Sequence, residues 1–304
     1  MTNRKILKAN LEGRDYVIGD LHGAYSAFEN LLKNLNFDKS KDRIISVGDL
    51  VDRGPDSYSC LQLLDEPWFH CVKSNHEEMM VSAFYGGSVG RYWVRNGGHW
   101  GQTLLDQHLP LEEFEETEFG KLVLKAKNLP YIISVETKSG EQVHVVHAEF
   151  PKEVVITDEA LNDPEFVNDI VSIQNYEGSK LLWDRFTFLD FFRFPLHNIK
   201  KIARKVHARV SRYNIPIFTP NLSHVISGHT MVQRPLTIGS MTCIDTAAYD
   251  SYKGVVNRKL KRVSNWCALT ALDINAWEFF QATEDKFRQV QPLVINEMVI
   301  DTYK

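Results

Sequence analysis

The apolar residues of this chain fall into short continuous runs separated by stretches of helical spacing. Residues 16–19, 44–47 and 68–72 are apolar runs short enough to read as buried strands. Between them, residues 24–35 place Phe28, Leu31, Leu32 and Leu35 three or four apart, and 57–64 repeat the pattern with Cys60, Leu61 and Leu64. Alternation of strand and helix predicts an α/β fold. Residues 1–14 are expected to form an edge strand or an ordered lead-in. Residues 77–85 predict a further helix with Met79, Met80, Ala83 and Phe84 facing a core. A glycine-rich loop and the aromatic segment R-Y-W-V-R-N-G-G-H-W follow, and then an acidic run, 111–120, that reads as a solvated helix face.

The period changes in the second half. Residues 131–136 and 142–147 alternate about a turn at Ser139–Gly140 and predict an antiparallel hairpin. Further strand-like stretches are 225–227, 241–244 and 266–272, and 293–303 are expected to form an edge strand or a docked tail. Residues 193–212 carry seven Lys or Arg and no acid, with Ile199, Ile202, Ala203, Val206 and Val210 at helical spacing. They predict a basic amphipathic helix, a solvated face or a contact for an acidic partner or nucleic acid. A second basic run lies at 257–262.

Composition narrows the class without deciding it. The chain has 304 residues, 43% of them hydrophobic and 24% charged, with a formal net charge of -4. Such a chain buries a large core, and its charge argues against a dedicated nucleic-acid binder. Its four cysteines have no C-x-x-C spacing, so a reducing compartment is expected and the protein is assigned to the cytoplasm. The charged N-terminal stretch shows no signal peptide, and no run of apolar residues is long enough for a membrane span.

The chemistry sits where apolar runs end. Asp20 and His22 share one turn bracketed by Gly19 and Gly23; Asp49 follows the second strand, and Asn75 the third. His147 ends the predicted hairpin, and His229 lies in S-G-H-T after another apolar run. Two divalent ions need about three protein ligands each, with one shared carboxylate. Asp20, His22, Asp49, Asn75, His147 and His229 fill that set, with Asp49 as the bridge. Arg53 and Arg185 are candidate clamps for phosphate oxygens. His76, beside Asn75, is placed to protonate a leaving group, with Asp52 orienting its ring, and a metal-bound hydroxide is the expected nucleophile. His144 is offset by three from His147, on the opposite strand face, and is given a structural or surface role.

These motifs resemble the metal-dependent phosphoprotein phosphatases of the calcineurin-like metallophosphoesterase fold, in their bacterial and bacteriophage-lambda form. The matching residues are G-D-L-H-G at 19–23, G-D-L-V-D-R-G at 48–54, S-N-H-E at 74–77, His147 and G-H-T at 228–230. Trp93, Asn96-Gly97-Gly98 and Trp100 resemble the phage-type W-x-x-N-G-G segment, and Trp183-Asp184-Arg185 its W-N-R. Ser74 replaces the family's glycine, with little loss expected from a backbone outside the left-handed region. Ala247 stands where the family has the glycine of D-T-G. The resemblance implies a central β-sandwich of mixed sheets flanked by helices, as one domain over 1–304, with an insertion at 191–222 and a C-terminal extension at 250–304. It implies hydrolysis of phosphomonoesters, with phosphoserine and phosphothreonine in proteins as substrates and phosphotyrosine beside them. Two divalent ions are implied, Mn²⁺ first, with Fe or Zn as alternatives. A nucleotide or nucleic-acid phosphoesterase, including a dinucleoside tetraphosphatase or an RNA-end phosphatase, is the alternative. Asp52 and Glu77 depart from the G-D-L-V-A-R-G and G-N-H-D of the related tetraphosphatases.

Overall fold

A computed structural model describes residues 2–175, 177–188, 208, 221–252 and 266–295. Its strands are β1 (Arg4–Leu7), β2 (Asp15–Ile18), β3 (Arg43–Ser46), β4 (Phe69–Cys71), β5 (Ile132–Glu136), β6 (Gln142–Val145), β7 (His224–Ser227), β8 (Leu236–Ile238), β9 (Met241–Cys243), β10 (Leu269–Asp273), β11 (Glu278–Ala282), β12 (Phe287–Val290) and β13 (Leu293–Ile295). The helices are α1 (Tyr25–Asn34), α2 (Ser57–Gln62), α3 (Asn75–Tyr85), α4 (Gln102–Leu105), α5 (Leu111–Glu116), α6 (Glu118–Lys127), α7 (Pro164–Ser172) and α8 (Lys180–Trp183). The strands form two mixed sheets, one in the order β1-β5-β6-β7-β9-β8-β13 and one in the order β12-β11-β10-β2-β3-β4.

Alternation along the strands explains the layering. Val17, Ile45, Leu272 and Phe279 of the six-stranded sheet meet Ile133, Val135, Val143, Val145 and Ile226 of the other in one buried cluster. The alternate positions Tyr16, Ile18, Ile44, Phe69 and Ala271 face outward and are covered by Phe28, Leu31, Leu61, Met79 and Met80 from α1, α2 and α3. Ile132 and Val225 on the outer face of the seven-stranded sheet pack on Leu161, Val167, Ile170 and Leu181. Side chains on successive strand residues point to opposite faces, so strands covered on both sides read as continuous apolar runs. This is a sandwich of mixed sheets flanked by helices.

The predicted elements are in place, with adjustments. β1 is an edge strand, and β5 pairs antiparallel with β6, although β6 stops two residues short of His147. The acidic run does more than face solvent. It breaks at Thr117, whose hydroxyl caps α6 through the Gly120 amide, and its Phe114 and Phe119 are buried beside Phe84. The stretch after residue 250, read above as an extension, supplies β10, which pairs with β2 in the middle of the six-stranded sheet. β13 is an edge strand, parallel to β8; residues 296–303 lie outside the described residues. So do the basic run 257–262 and all of 193–212 except Ala208. Among the described residues no helix is long and apolar enough to cross a membrane.

Candidate metal centre and active site

Parallel pairing of β2, β3 and β4 carries the turns after them to one edge of the six-stranded sheet. Parallel pairing of β6 with β7 does the same for the His147 and His229 loops of the other sheet. The two edges meet. His147 Nδ1 donates to the Val47 carbonyl across the sandwich, at 2.8 Å. The backbone is bent at the site: His22, Asp49, Asp52, Arg53 and His229 all have φ between 46° and 77°. Left-handed geometry at residues other than glycine costs about 1–2 kcal/mol each and collects where function requires a fixed side-chain direction.

Asp49 is the centre of the arrangement. Ligand atoms of His22, Asp49 and His76 lie within 4.8 Å of one another, and so do those of Asp49, His147 and His229. Asp49 is the residue common to both groups. Its Oδ2 is 3.1 Å from His22 Nε2, and its Oδ1 is 3.5 Å from His147 Nε2. Asn75 Oδ1 lies 2.7 Å from His147 Nε2, whose other neighbour, His229 Nδ1, is at 3.1 Å. Asp20 belongs to neither group. Its carboxylate accepts the His229 amide, at 3.0 Å from Oδ2, beneath a Gly228 too close for any side chain.

The ring tautomers show what the centre suits. His22 donates Nδ1–H to the Val51 carbonyl at 2.8 Å, and His147 does the same to Val47. Each therefore turns an Nε2 lone pair toward Asp49. Burial, ahead of the neighbouring charges, lowers the His147 ring to about 4 and depresses His22 and His229 as well. The His22 and His147 lone pairs thus converge on one carboxylate. His229 Nε2 is in addition buried without a hydrogen-bond partner. Apart from the Arg53 N–H at His22 Nε2, no proton lies between these lone pairs and the carboxylate, and such groups repel unless a cation lies among them, so the residues fit divalent ions. Burial and then the charges of Asp245 and Asp49 push Asp20 well above the usual carboxylate range, as expected for acids gathered to face positive charge.

Around this centre stand the remaining predicted groups. His76 Nδ1 is 2.6 Å from Asp52 Oδ2, and its Nε2 accepts from Arg53 at 2.8 Å. Arg53 also reaches His22 Nε2 and lies over the Tyr249 ring, 5.3 Å from its centroid. Arg185, half-buried, comes within 3.5 Å of His229 Nδ1, and burial followed by the charge of Arg53 lowers its pKa. The two guanidiniums thus bring positive charge to one side of the centre. His144 bonds Ser134 and Asp158 on the far face of β6, a structural role.

Several contributors were given no role at the site by the sequence. Glu77 accepts the amides of Asp49 and Leu50 and the Ser74 hydroxyl, so it shapes the Asp49 turn. Ser74, extended at φ -122°, caps α3 by accepting the His76 and Glu77 amides. Its S-x-x-E spacing was the available signal. Glu149 receives the Thr187 amide at 2.8 Å and the Phe188 amide at 3.3 Å, tying the His147 loop to the one carrying Arg185. Trp93 and Trp100 both donate to Asp52 Oδ1. Ala247 keeps the left-handed backbone that glycine would favour, with φ 55° and ψ 56°.

Known proteins resemble this chain in sequence and in fold. The chain is 32% identical over 195 residues to serine/threonine-protein phosphatase 2 of Escherichia coli, covering 63% of this chain and 84% of that one. Over 73 residues it is 37% identical to the symmetrical bis(5'-nucleosyl)-tetraphosphatase of Cellvibrio japonicus, covering 23% of this chain and 27% of that one. The crystal structure of a cold-active protein-tyrosine phosphatase of a psychrophilic Shewanella shares the fold, with a TM-score of 0.53 at 17% identity over 96% of this chain and 83% of that one. Residues 15–233 match the calcineurin-like phosphoesterase model, a metal-dependent family, and the chain belongs to it.

Proposed function

We propose that this enzyme hydrolyses phosphomonoesters of proteins, phosphoserine and phosphothreonine first and phosphotyrosine beside them, with a pair of divalent ions. The observation that carries the reading is the His76–Asp52 pair, held at 2.6 Å on the rim of a centre built around Asp49. His22 and Asp49 would hold one ion, and Asp49, Asn75, His147 and His229 the other. Asp20 completes the set beside the His229 loop. Oxygen and nitrogen donors without sulfur suit manganese, iron or zinc alike, and manganese is put first on the family resemblance. When bound, such a pair supplies Lewis-acid charge to the phosphoryl oxygens and activates water for in-line attack.

The chain's own residues do the rest. Arg53, exposed, and Arg185 grip the phosphoryl oxygens through charge-assisted hydrogen bonds. His76, protonated at Nε2 once Arg53 turns from the ring to the phosphoryl oxygens, delivers that proton to the departing alkoxide or phenoxide, and Asp52 holds the ring by Nδ1 and stabilises the charged form. Cys60, Cys71 and Cys243 are buried free thiols, which supports a reducing, cytoplasmic setting. The basic segment 193–212 is a proposed contact for an acidic partner or nucleic acid.

Hydrolysis of a dinucleoside tetraphosphate is the second reading, favoured by the local likeness to the Cellvibrio enzyme. A substrate panel with added Mn²⁺ separates the two: phosphopeptides, dinucleoside tetraphosphate, cyclic nucleotides and 3′-phosphorylated RNA. Turnover of phosphopeptides above the rest is expected. Exclusive turnover of one nucleotide class overturns the protein-phosphatase reading.

A further inference from the structure

The aromatic segment after α3 is the motif that the reaction scheme above leaves unused. Trp93 is fully buried, and Trp100 meets it edge-on with centroids 5.9 Å apart. Their indole nitrogens converge on one atom, Asp52 Oδ1, at 3.0 and 2.8 Å. The other oxygen, Oδ2, takes His76 Nδ1, and the Asp52 side chain has no solvent exposure. The segment is fitted to this task. A side chain at Gly98 would meet the Trp93 ring at 2.6 Å, and one at Gly101 would strike it as well. Gly97, at φ 120°, lies so close that a Cβ would be 2.8 Å from the Arg53 amide and 3.1 Å from Asp52 Cβ.

We propose that Trp93 and Trp100 are positioning residues for the hydrolysis, their two indole N–H groups fixing the Asp52 carboxylate so that it aims His76 at the leaving group. An indole N–H donates and never accepts, so the pair gives Oδ1 one fixed role and leaves Oδ2 to the imidazole. Without them Oδ1 is a buried anionic oxygen lacking donors, and the carboxylate turns to seek others. His76 then loses its orientation although Asp52 is still present. The proposal rests on His76 acting as the general acid.

The test compares Trp93→Phe, Trp100→Phe and the double variant with wild type and with His76→Asn. Two substrates are used with saturating Mn²⁺: phenyl phosphate, whose leaving group needs a proton, and 2,4-dinitrophenyl phosphate, whose leaving group does not. Each Trp variant should lose about 10–100-fold in kcat on phenyl phosphate, the worth of a hydrogen bond to a charged group, with KM nearly constant. On the dinitrophenyl ester the loss should be at least tenfold smaller. Trp100→Phe in an Asp52→Asn background should add no further discrimination between the substrates, because the indole acts through that carboxylate. Equal losses on both esters, or a loss confined to thermal stability, overturn the positioning role. His76→Asn is the separate control. If it shows no leaving-group dependence, the acid assignment fails; if it does and the Trp variants do not, the assignment stands and this proposal falls.

Discussion

The Glu77 carboxylate accepts the Asp49 amide at 3.1 Å, so the residue at the centre of the candidate metal site is held by the first turn of α3. The Leu50 amide joins it at 2.9 Å, and the Ser74 hydroxyl closes the ring of donors. Burial and then the Asp49 charge push Glu77 up to about 8, against the pull of these donors. Glu77→Gln would place an amide N–H group against backbone N–H donors. The expected outcome is a metal requirement weakened by about 10–100-fold, the usual effect of losing a group that supports a ligand. Titration of activity with Mn²⁺ measures it; an unchanged half-saturation point contradicts the role.

His76→Asn should keep its ions and lose about 10²–10⁴-fold in turnover on esters with poor leaving groups, the range of a general acid. Metal content by mass spectrometry and steady-state kinetics on the same preparation check both halves.

Asp49→Asn removes the charge common to both groups of candidate ligands. Both ions should be weakened together, so metal content and activity should fall in parallel. Retention of two tightly held ions would refute the shared-carboxylate reading.

Gly48 and Ser74 are coupled by contact. Gly48 has φ 96°, and a Cβ there would lie 2.6 Å from Ser74 Cβ and 3.3 Å from His147 Nδ1. Gly48→Ala should cost about 1–3 kcal/mol through overpacking and a strained backbone. Adding Ser74→Gly should recover part of this cost, although Ser74→Gly alone destabilises by removing the donor to Glu77. Urea unfolding of the four proteins gives the coupling, expected above about 0.5 kcal/mol for residues in contact; simple additivity would refute it.

Acid should destabilise the fold through half-buried imidazoles. Burial lowers His224 to about 4 from its ordinary 6.5, and burial with Lys5 and Arg43 does the same for His70. The folded rings stay neutral where the unfolded chain takes up protons, so stability is full above pH 6.5 and falls as pH drops toward 4. The slope is at most about 1.4 kcal/mol per pH unit for each ring, and less for one that keeps some solvent contact. Urea midpoints between pH 7 and pH 5 should fall in the wild type and flatten in His224→Gln. An unaltered slope in that variant would show that His224 does not contribute.

The sequence by itself located β2, β3 and β4 to within one residue at each end, and with them the polar residues that follow. Short apolar runs must end where polar groups begin, so Asp20, His22 and Asp49 could be placed on turns after strands without coordinates, and Asn75 just beyond the third strand, where it opens α3. The Ser74 cap was not predicted, although its S-x-x-E spacing is a local signal within four residues. The tertiary structure decided which side chains meet. Sheet order is not written in periodicity, so nothing local says that β6 lies beside β7, or that Val47 receives His147 from a hundred residues away. It also decided which imidazole nitrogen faces inward, since each tautomer is set by a carbonyl from another loop. The indoles of Trp93 and Trp100 found their acceptor only through folding. A hydrogen bond across more than forty residues depends on where the chain returns, and no spacing rule carries that information.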